Sequence, residues 1–391
     1  MVDPQKLPHL LKYMGSKREL LEFINHAINQ LQTDSNWFCD LFSGTSTVGC
    51  SLRDEYNIHI NDIQYYTSIF ANTYLKNGDD NKNKIDFDLI REQVFHFKDE
   101  FISKYVELEF NYNELDYEAF KKLEEAQQGL INKEFKIGFH LFAKYYSGTY
   151  WSYEQCVWID AIRAVAEKYK TKSDYYLILS SLIFAMSYSS QSTGHFAQYR
   201  DITKSNMNDI LQYRTRSIWT LFEKKYKELS NFQQSNILAN DYRITSLDYL
   251  DCLRLIDENT IVYADPPYSS VHYSRFYHAV ETIVKYDYPN IKHKGRYRED
   301  RHQSPFGKKT EVKKAFKDLF DRIKDRKSHL ILSYSNNGMI TEKEITDIAD
   351  KSFGNEYKSF IFSKKYLHSK MGRADEKFME VDELIIAYKR L

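Results

Sequence analysis

The chain has 391 residues, 55 Lys or Arg against 55 Asp or Glu, and a formal net charge of zero at pH 7. That length supports about two domains and a large core, and the absence of any run of 18 or more apolar residues excludes a membrane-spanning helix and leaves an ordinary soluble protein with no membrane partner. The opening MVDPQKLPHLLKYMGSKREL lacks the charged, apolar, small-residue order of a secretory signal, so a cytoplasmic protein is expected. Cys39, Cys50, Cys156 and Cys252 show no CxxC spacing and read as buried reduced thiols rather than a zinc site or a disulfide framework.

In chain order, Leu20, Leu21, Ile24, Ala27, Ile28 and Leu31 recur at helical spacing, and Ser16 with Glu19 forms an S-x-x-E capping box. A helix is therefore predicted to begin close to Lys17. WFCDLF (37–42) reads as a short buried strand, Gly44 and Gly49 follow before a short helical segment, and NIHIND (57–62) reads as a second strand, which makes a βαβ start. From about Leu75 to Gln234 the pattern turns to charged and aromatic helical segments, an inserted and mainly helical region. Strand-like runs return at Ser235–Asp241, Thr260–Asp265, Ser328–Ser335 and Asp382–Lys389. The expected fold is a doubly wound α/β domain, split in sequence by the helical insert, with ligands at the carboxyl ends of its strands.

DLFSGTSTVG (40–49) bears two glycines after a strand, as nucleotide-type loops do, yet Cys50 and Ser51 follow Gly49 where a Walker A loop needs Lys and Ser/Thr, and the GxGxxG register fails as well. What remains is a loop that lets a small ligand approach the backbone at Gly44, with Asp62, 18 residues on, placed to accept hydrogen bonds from ribose hydroxyls. KYMGSK (12–17) adds a helix start with free N–H groups and the charge of Lys17, which suits a carboxylate.

Asp265-Pro266-Pro267-Tyr268 carries the chemistry. Each proline biases the residue before it toward extended geometry and donates no N–H, so a stiff backbone holds Asp265 at a sheet edge. The exocyclic amine of a nucleobase is a poor nucleophile because its lone pair is delocalised into the ring. The Asp265 carboxylate and the Pro266 carbonyl offer fixed acceptors for the two amino hydrogens, aimed at the charge that develops on nitrogen, and Tyr268 offers a face for stacking. A base must leave its duplex to reach such a pocket.

In this order, KYMGSK, DLFSGTSTVG, IND, AND before Tyr242, DPPY, LSYSN and VDELIIAY resemble the S-adenosylmethionine-dependent DNA adenine-N6 methyltransferases of the Dam-like group, the D12 class. The resemblance covers about Leu7–Leu75 and Asn236–Leu391. It implies a Rossmann-like methyltransferase sheet with a largely helical target-recognition insert: residues 1–75 and 236–391 as two parts of the catalytic domain and 76–235 as the insert. It also implies that Tyr13, Gly15 and Lys17 face the methionine end of the cofactor, that Asp40, Phe42 and Gly44 line its loop, that Asp62 holds its ribose, and that Asp241 and Tyr242 meet its adenine. Asp265, Pro266 and Tyr268 would act on the target base. One departure is Leu41 before Phe42, where the family often has proline.

Lys285–Lys314 holds ten bases against four acids, whereas Asp79–Glu125 holds 14 acids against seven bases. Only the first suits a polyanion, so Arg296, Arg298, Arg301, Lys308 and Lys309 are expected at phosphates, with Tyr273, Arg275 and Phe276 close enough to DPPY to fill the space of a flipped base. The expected activity is site-specific methylation of adenine N6 in double-stranded DNA, in a restriction-modification or related system; the sequence leaves open whether a cognate endonuclease is its partner. No metal is expected, since a sulfonium already makes its methyl electrophilic. Rival readings keep the cofactor with RNA adenine or a protein glutamine as acceptor, or keep the fold as an inactive DNA-binding subunit. Glutamine-modifying relatives usually carry asparagine at the place of Asp265.

Overall fold

The computed structural model describes residues 7–76, 85–192, 194–235, 238, 240–267, 272–336, 338–369 and 378–391. The elements run α1 (Leu21–Gln30), β1 (Trp37–Asp40), α2 (Thr47–Ser51), β2 (Asn57–Asn61) and α3 (Tyr66–Leu75), then the helices α4 (Phe87–Lys104), α5 (Tyr117–Gln128), α6 (Leu141–Tyr146), α7 (Tyr153–Glu167), α8 (Ser173–Ser189), α9 (Met207–Arg214) and α10 (Ile218–Ser235). They continue β3 (Tyr242–Thr245), α11 (Tyr249–Leu255), β4 (Ile261–Ala264), α12 (Tyr273–Phe276), α13 (His278–Lys285), β5 (Ile291–Lys292), β6 (Tyr297–Arg298), α14 (Val312–Asp325), β7 (His329–Ser335), α15 (Glu342–Phe353), β8 (Tyr357–Ser369) and β9 (Phe378–Arg390). Among the described residues no helix is long and apolar enough to cross a membrane.

Seven strands form one sheet in the order β3-β2-β1-β4-β7-β9-β8. Pairing is parallel from β3 to β7, so the ends of β1, β2 and β4 open on the same edge, while β9 runs antiparallel between β7 and β8. Alternation along the strands feeds two cores. Phe38, Ile58, Ile60, Tyr263 and Ile331 face α1 and α3 in one cluster, and Cys39, Val262, Ala264, Leu330 and Leu332 face α11, α14 and α15 in the other. The first cluster continues into α7, α8 and α10, and the Thr73 hydroxyl of α3 lies 2.7 Å from that of Ser180.

Several expectations need correction. The Ser16/Glu19 box does not cap a helix: a 3₁₀ turn, Arg18–Leu20, intervenes with no side-chain cap at Lys17, and α1 starts at Leu21. Lys17 is buried, and the Leu20 N–H bonds back to its carbonyl at 2.9 Å, which tightens the turn. The strand expected at Ser235–Asp241 lies later, at Tyr242–Thr245; residues 236, 237 and 239 are outside the described set. Strand β8 was not anticipated, because its lysines and serines dilute the apolar alternation of an edge strand. All four cysteines are buried, and Cys39 and Cys252 lie beside each other, with His59 completing a cluster whose ligand atoms fall within 4.8 Å of one another.

Candidate active site

Three acids stand at the carboxyl edge of the parallel strands. Asp40 is the last residue of β1, Asp62 follows β2 and Asp265 follows β4. The structure brings Tyr13, Gly15, Lys17, Asp40, Phe42, Gly44, Asp62, Asp265, Pro266 and Tyr273 to the wall of one cavity. Tyr268 lies outside the described residues.

Backbone donors hold two of the acids. The Gly49 N–H donates to Asp40 Oδ2 at 2.9 Å, while Oδ1 is buried with no partner among the described residues. Burial first, then the nearby Asp265 and Asp62 charges, push the Asp40 carboxyl up to about 8. Asp62 accepts from Gly44 N–H at 2.9 Å and Gln64 N–H at 2.8 Å, which ties the glycine loop to the end of β2. Burial raises it to about 6 against those bonds.

Two glycines let the wall close. Gly15 and Gly44 both have positive φ, 76° and 51°, and a Cβ at Gly44 would stand 3.0 Å from the Tyr13 hydroxyl, one at Gly15 3.2 Å from that of Tyr273. Tyr13 packs against both Tyr273 and Tyr277, with ring centres 5.7 Å and 4.6 Å away and the latter two 6.4 Å apart, and the Tyr277 hydroxyl accepts the Met14 N–H at 2.7 Å. The segment after DPPY thus buttresses the KYMGSK turn, and Tyr273, expected at DNA, is part of the cavity wall.

Asp265 is reached from the cavity, with 18% of its side chain exposed. Lys17 Nζ lies 3.2 Å from Oδ1, the oxygen closed off from the cavity and without an aligned donor among the described residues, so Oδ2 is the oxygen the cavity reaches. Burial raises Asp265 to about 6, with Lys17 opposing and Glu383 adding to the rise. Lys17 also contacts Glu383 Oε1 at 2.5 Å. It therefore sits between two carboxylates, and a cofactor carboxylate on the same ammonium would be a third anion.

Asp241 and Tyr242, expected at the cofactor's adenine, are elsewhere. Tyr242 pairs with Ile58, near the start of β2, at the opposite end of the strands from the cavity, and Asp241 is exposed. Leu247, Asp248 and Tyr249 line the cavity in their place. Buried Asn61 positions them: its Nδ2 donates to the Leu41 and Leu247 carbonyls, and its Oδ1 accepts from the Thr245 hydroxyl and the Leu247 N–H. Tyr249 packs against Phe42 and Phe306. The missed signal was position, since the second Asp-Tyr pair follows its strand as Asp62 and Asp265 follow theirs, whereas the first precedes it.

The basic segment is largely neutralised. Arg298, expected at phosphate, is 3% exposed and forks onto Asp287 and Asp300. Lys285, Lys292, Lys294, Lys308, Lys313 and Lys314 pair with Glu281, Glu299, Asp201, Glu311, Glu344 and Asp318. Half-buried Arg296 donates to the Tyr145 carbonyl. Among the described residues Arg275, Arg301 and Lys309 have no acid partner, and Arg275 and Arg301 both lie over the Tyr297 ring, at 5.7 Å and 5.0 Å.

The family model described as D12 class N6 adenine-specific DNA methyltransferase matches residues 13–348. The chain belongs to this class. The match runs through the helical insert and stops before β8 and β9. Among curated relatives, the modification methylase LlaI of Lactococcus lactis subsp. lactis is 25% identical over 87% of this chain and 48% of its own length. The type II methyltransferase M.FokI of Planomicrobium okeanokoites is 28% identical over 88% of this chain and 47% of its own. The type II methyltransferase M.NlaIII of Neisseria lactamica is 24% identical over 90% of this chain and 93% of its own. The chain thus spans about half the length of the first two and nearly all of the third.

The D12 class uses S-adenosylmethionine. The cavity suits that molecule: acceptors at Asp62 and Asp248 would meet a ligand rich in ribose and amino donors, and the buried Oδ1 of Asp40, with no partner among the described residues, leaves one more polar group to be satisfied there.

Proposed function

We propose that this chain is a site-specific DNA methyltransferase that moves a methyl group to N6 of adenine, acting in a restriction-modification system with a cognate endonuclease as partner. The observation that carries the proposal is that Asp265 and Pro266 share one cavity with Gly15, Gly44 and Asp62, so an amine acceptor and a cofactor cradle face the same space.

S-adenosylmethionine, when bound, supplies an electrophilic methyl on a sulfonium. Tyr13, Gly15, Asp40, Phe42, Gly44, Asp62, Asp248 and Tyr249 form its cradle, with Asp62 accepting from ribose through the lone pairs its backbone bonds leave open. The cavity-side Oδ2 of Asp265 and the Pro266 carbonyl accept the two hydrogens of an extruded adenine's amine, which favours the pyramidal nitrogen that attacks carbon. A role for Tyr268 against that base is what the motif implies. Residues 1–75 and 236–391 form the catalytic domain, and 76–235 are the target-recognition insert. Arg275, Arg301 and Lys309 neutralise DNA phosphates, with Arg296 and Lys308 at the edge of that face.

Incubation with labelled cofactor and unmethylated double-stranded DNA, followed by nuclease digestion, tests the proposal. Label is expected in N6-methyladenine; label in cytosine, in RNA alone or in protein overturns it.

A further inference from the structure

The structure leaves one buried acid of the site unexplained. Glu383 on β9 is 2% exposed, stands 366 residues from its partner Lys17 and lies outside the span matched by the family model. A carboxylate withdrawn from water is costly unless paired and hydrogen-bonded. Glu383 is both: Oε1 receives Lys17 Nζ at 2.5 Å and the Ser333 hydroxyl at 2.8 Å. Four segments distant in sequence, the KYMGSK turn, the end of β4, β7 and β9, converge there.

We infer that Glu383 is a positioning residue that acts on Asp265 through Lys17, holding the ammonium on the buried Oδ1 side, where it favours the ionised acid and leaves the cavity-side Oδ2 free for the substrate amine. The inference rests on the proposed methyl transfer. A lysine facing Asp265 alone would be free to bridge both oxygens in charge-assisted hydrogen bonds and so occupy the cavity-side Oδ2 that the adenine amine needs. The second carboxylate prevents this. Lys17 makes the shorter, aligned contact with Glu383 and keeps an unaligned 3.2 Å contact with Asp265. Among the described residues the charged and titratable groups around Asp265 are Lys17 from the turn before α1, Asp40 from β1, Tyr263 from β4 and Glu383 from β9, with the Ser333 hydroxyl from β7. Lys17 is the cation among them and Glu383 the charge that restrains it.

The test is the pH profile of the single-turnover methylation rate at saturating DNA and cofactor, with a melting curve as the folding control. Glu383→Gln removes an anion near Asp265 and releases Lys17 onto it, so the maximal rate is expected to fall about tenfold and the acid limb to move down by about one pH unit. Lys17→Met removes the cation, so its acid limb moves up. Should Glu383→Gln not fold, Glu383→Asp withdraws the carboxylate by one methylene, and the same downward movement is expected with cofactor KM unchanged.

A purely structural ion pair would lower both rates without moving the limbs in opposite directions. Limbs that stay in place, limbs that move the same way, or a Lys17→Met variant changed only in cofactor KM overturn the inference and leave the proposed function standing. A wild-type chain that forms no N6-methyladenine overturns the proposed function instead.

Discussion

The carboxyl edge of the sheet and the segment from Lys285 to Lys314 were both conspicuous in the sequence, one for its acids and the other for its bases, and folding treats them differently. At the sheet edge, parallel pairing turns spacing into geometry, so acids ending β1, β2 and β4 meet in one cavity. In the basic segment the count of charges is a poor guide to the field. Glu281, Asp201, Glu344 and Asp318, none of them within the segment, neutralise four of its lysines, and Arg298 is buried between two aspartates. Strands fix where a side chain stands; a loop's charges are balanced by whatever folds against them.

The largest expected effect probes the sheet edge. Asp265→Ala should lower the methylation rate by about 10²–10³-fold while cofactor affinity, measured by calorimetry, stays close to wild type, because the cradle lies on β1, β2 and the segment after β3. A comparable loss of cofactor affinity would show that the acid belongs to the cradle instead.

Two arginines sharpen the other side. Arg298→Ala removes a buried fork from carboxylates that are 43% and 57% exposed and can rehydrate, so a stability loss of about 1–2 kcal/mol in denaturant melts is expected, with DNA affinity unchanged for the folded fraction. Arg301→Ala should do the reverse. Stability stays within about 0.5 kcal/mol, DNA affinity falls about fivefold, and the slope of log affinity against log salt drops by about one phosphate contact. Equal effects of the two variants on DNA binding would break the distinction.

The cavity end of β3 makes a similar pair at smaller size. Asp248→Asn keeps the cap on α11, where Asp248 accepts the Leu250 N–H at 3.0 Å, but removes an anionic acceptor from the wall. Cofactor Kd is expected to rise about tenfold, whereas Asp241→Asn should leave it within about twofold. Calorimetric titration of both variants decides which Asp-Tyr pair faces the cofactor.

These contrasts also measure what the sequence makes legible. The strands β1, β2, β4 and β7, the helical character of the stretch between β2 and β3 and the acids at strand ends were readable because apolar runs of four to seven residues bounded by turn residues allow few alternatives. Two other features were not. Asp241-Tyr242 and Asp248-Tyr249 are alike as letters, and only the register of β3 against β2 separates them. Glu383 reads as an ordinary strand acid in VDELIIAY; its partners Lys17 and Ser333 are joined to it by antiparallel pairing with β7 and by the inward turn of Lys17, neither of which leaves a local mark.

The smallest expected effect returns to the sheet edge through pH. Asp40 at about 8 and Asp160 at about 7 are both raised by burial, so the folded chain keeps protons on them that the unfolded chain loses near pH 4. Stability therefore falls as pH rises from that point to the folded values, by no more than about 1.4 kcal/mol per pH unit for each proton difference. His9, His195 and His329 at about 4 and His278 at about 3 are held neutral by burial, and their contribution is complete above pH 6.5 and lost below it. The two sets together place the maximum near pH 6, with a decline toward pH 8.5 of a few degrees in melting temperature. Asp40→Asn should flatten that decline, because an amide at the end of β1 keeps an acceptor for the Gly49 N–H and has no proton to lose. A decline of unchanged steepness would mean that Asp40 is already ionised in the fold, and that the edge of the sheet carries one more negative charge than its burial implies.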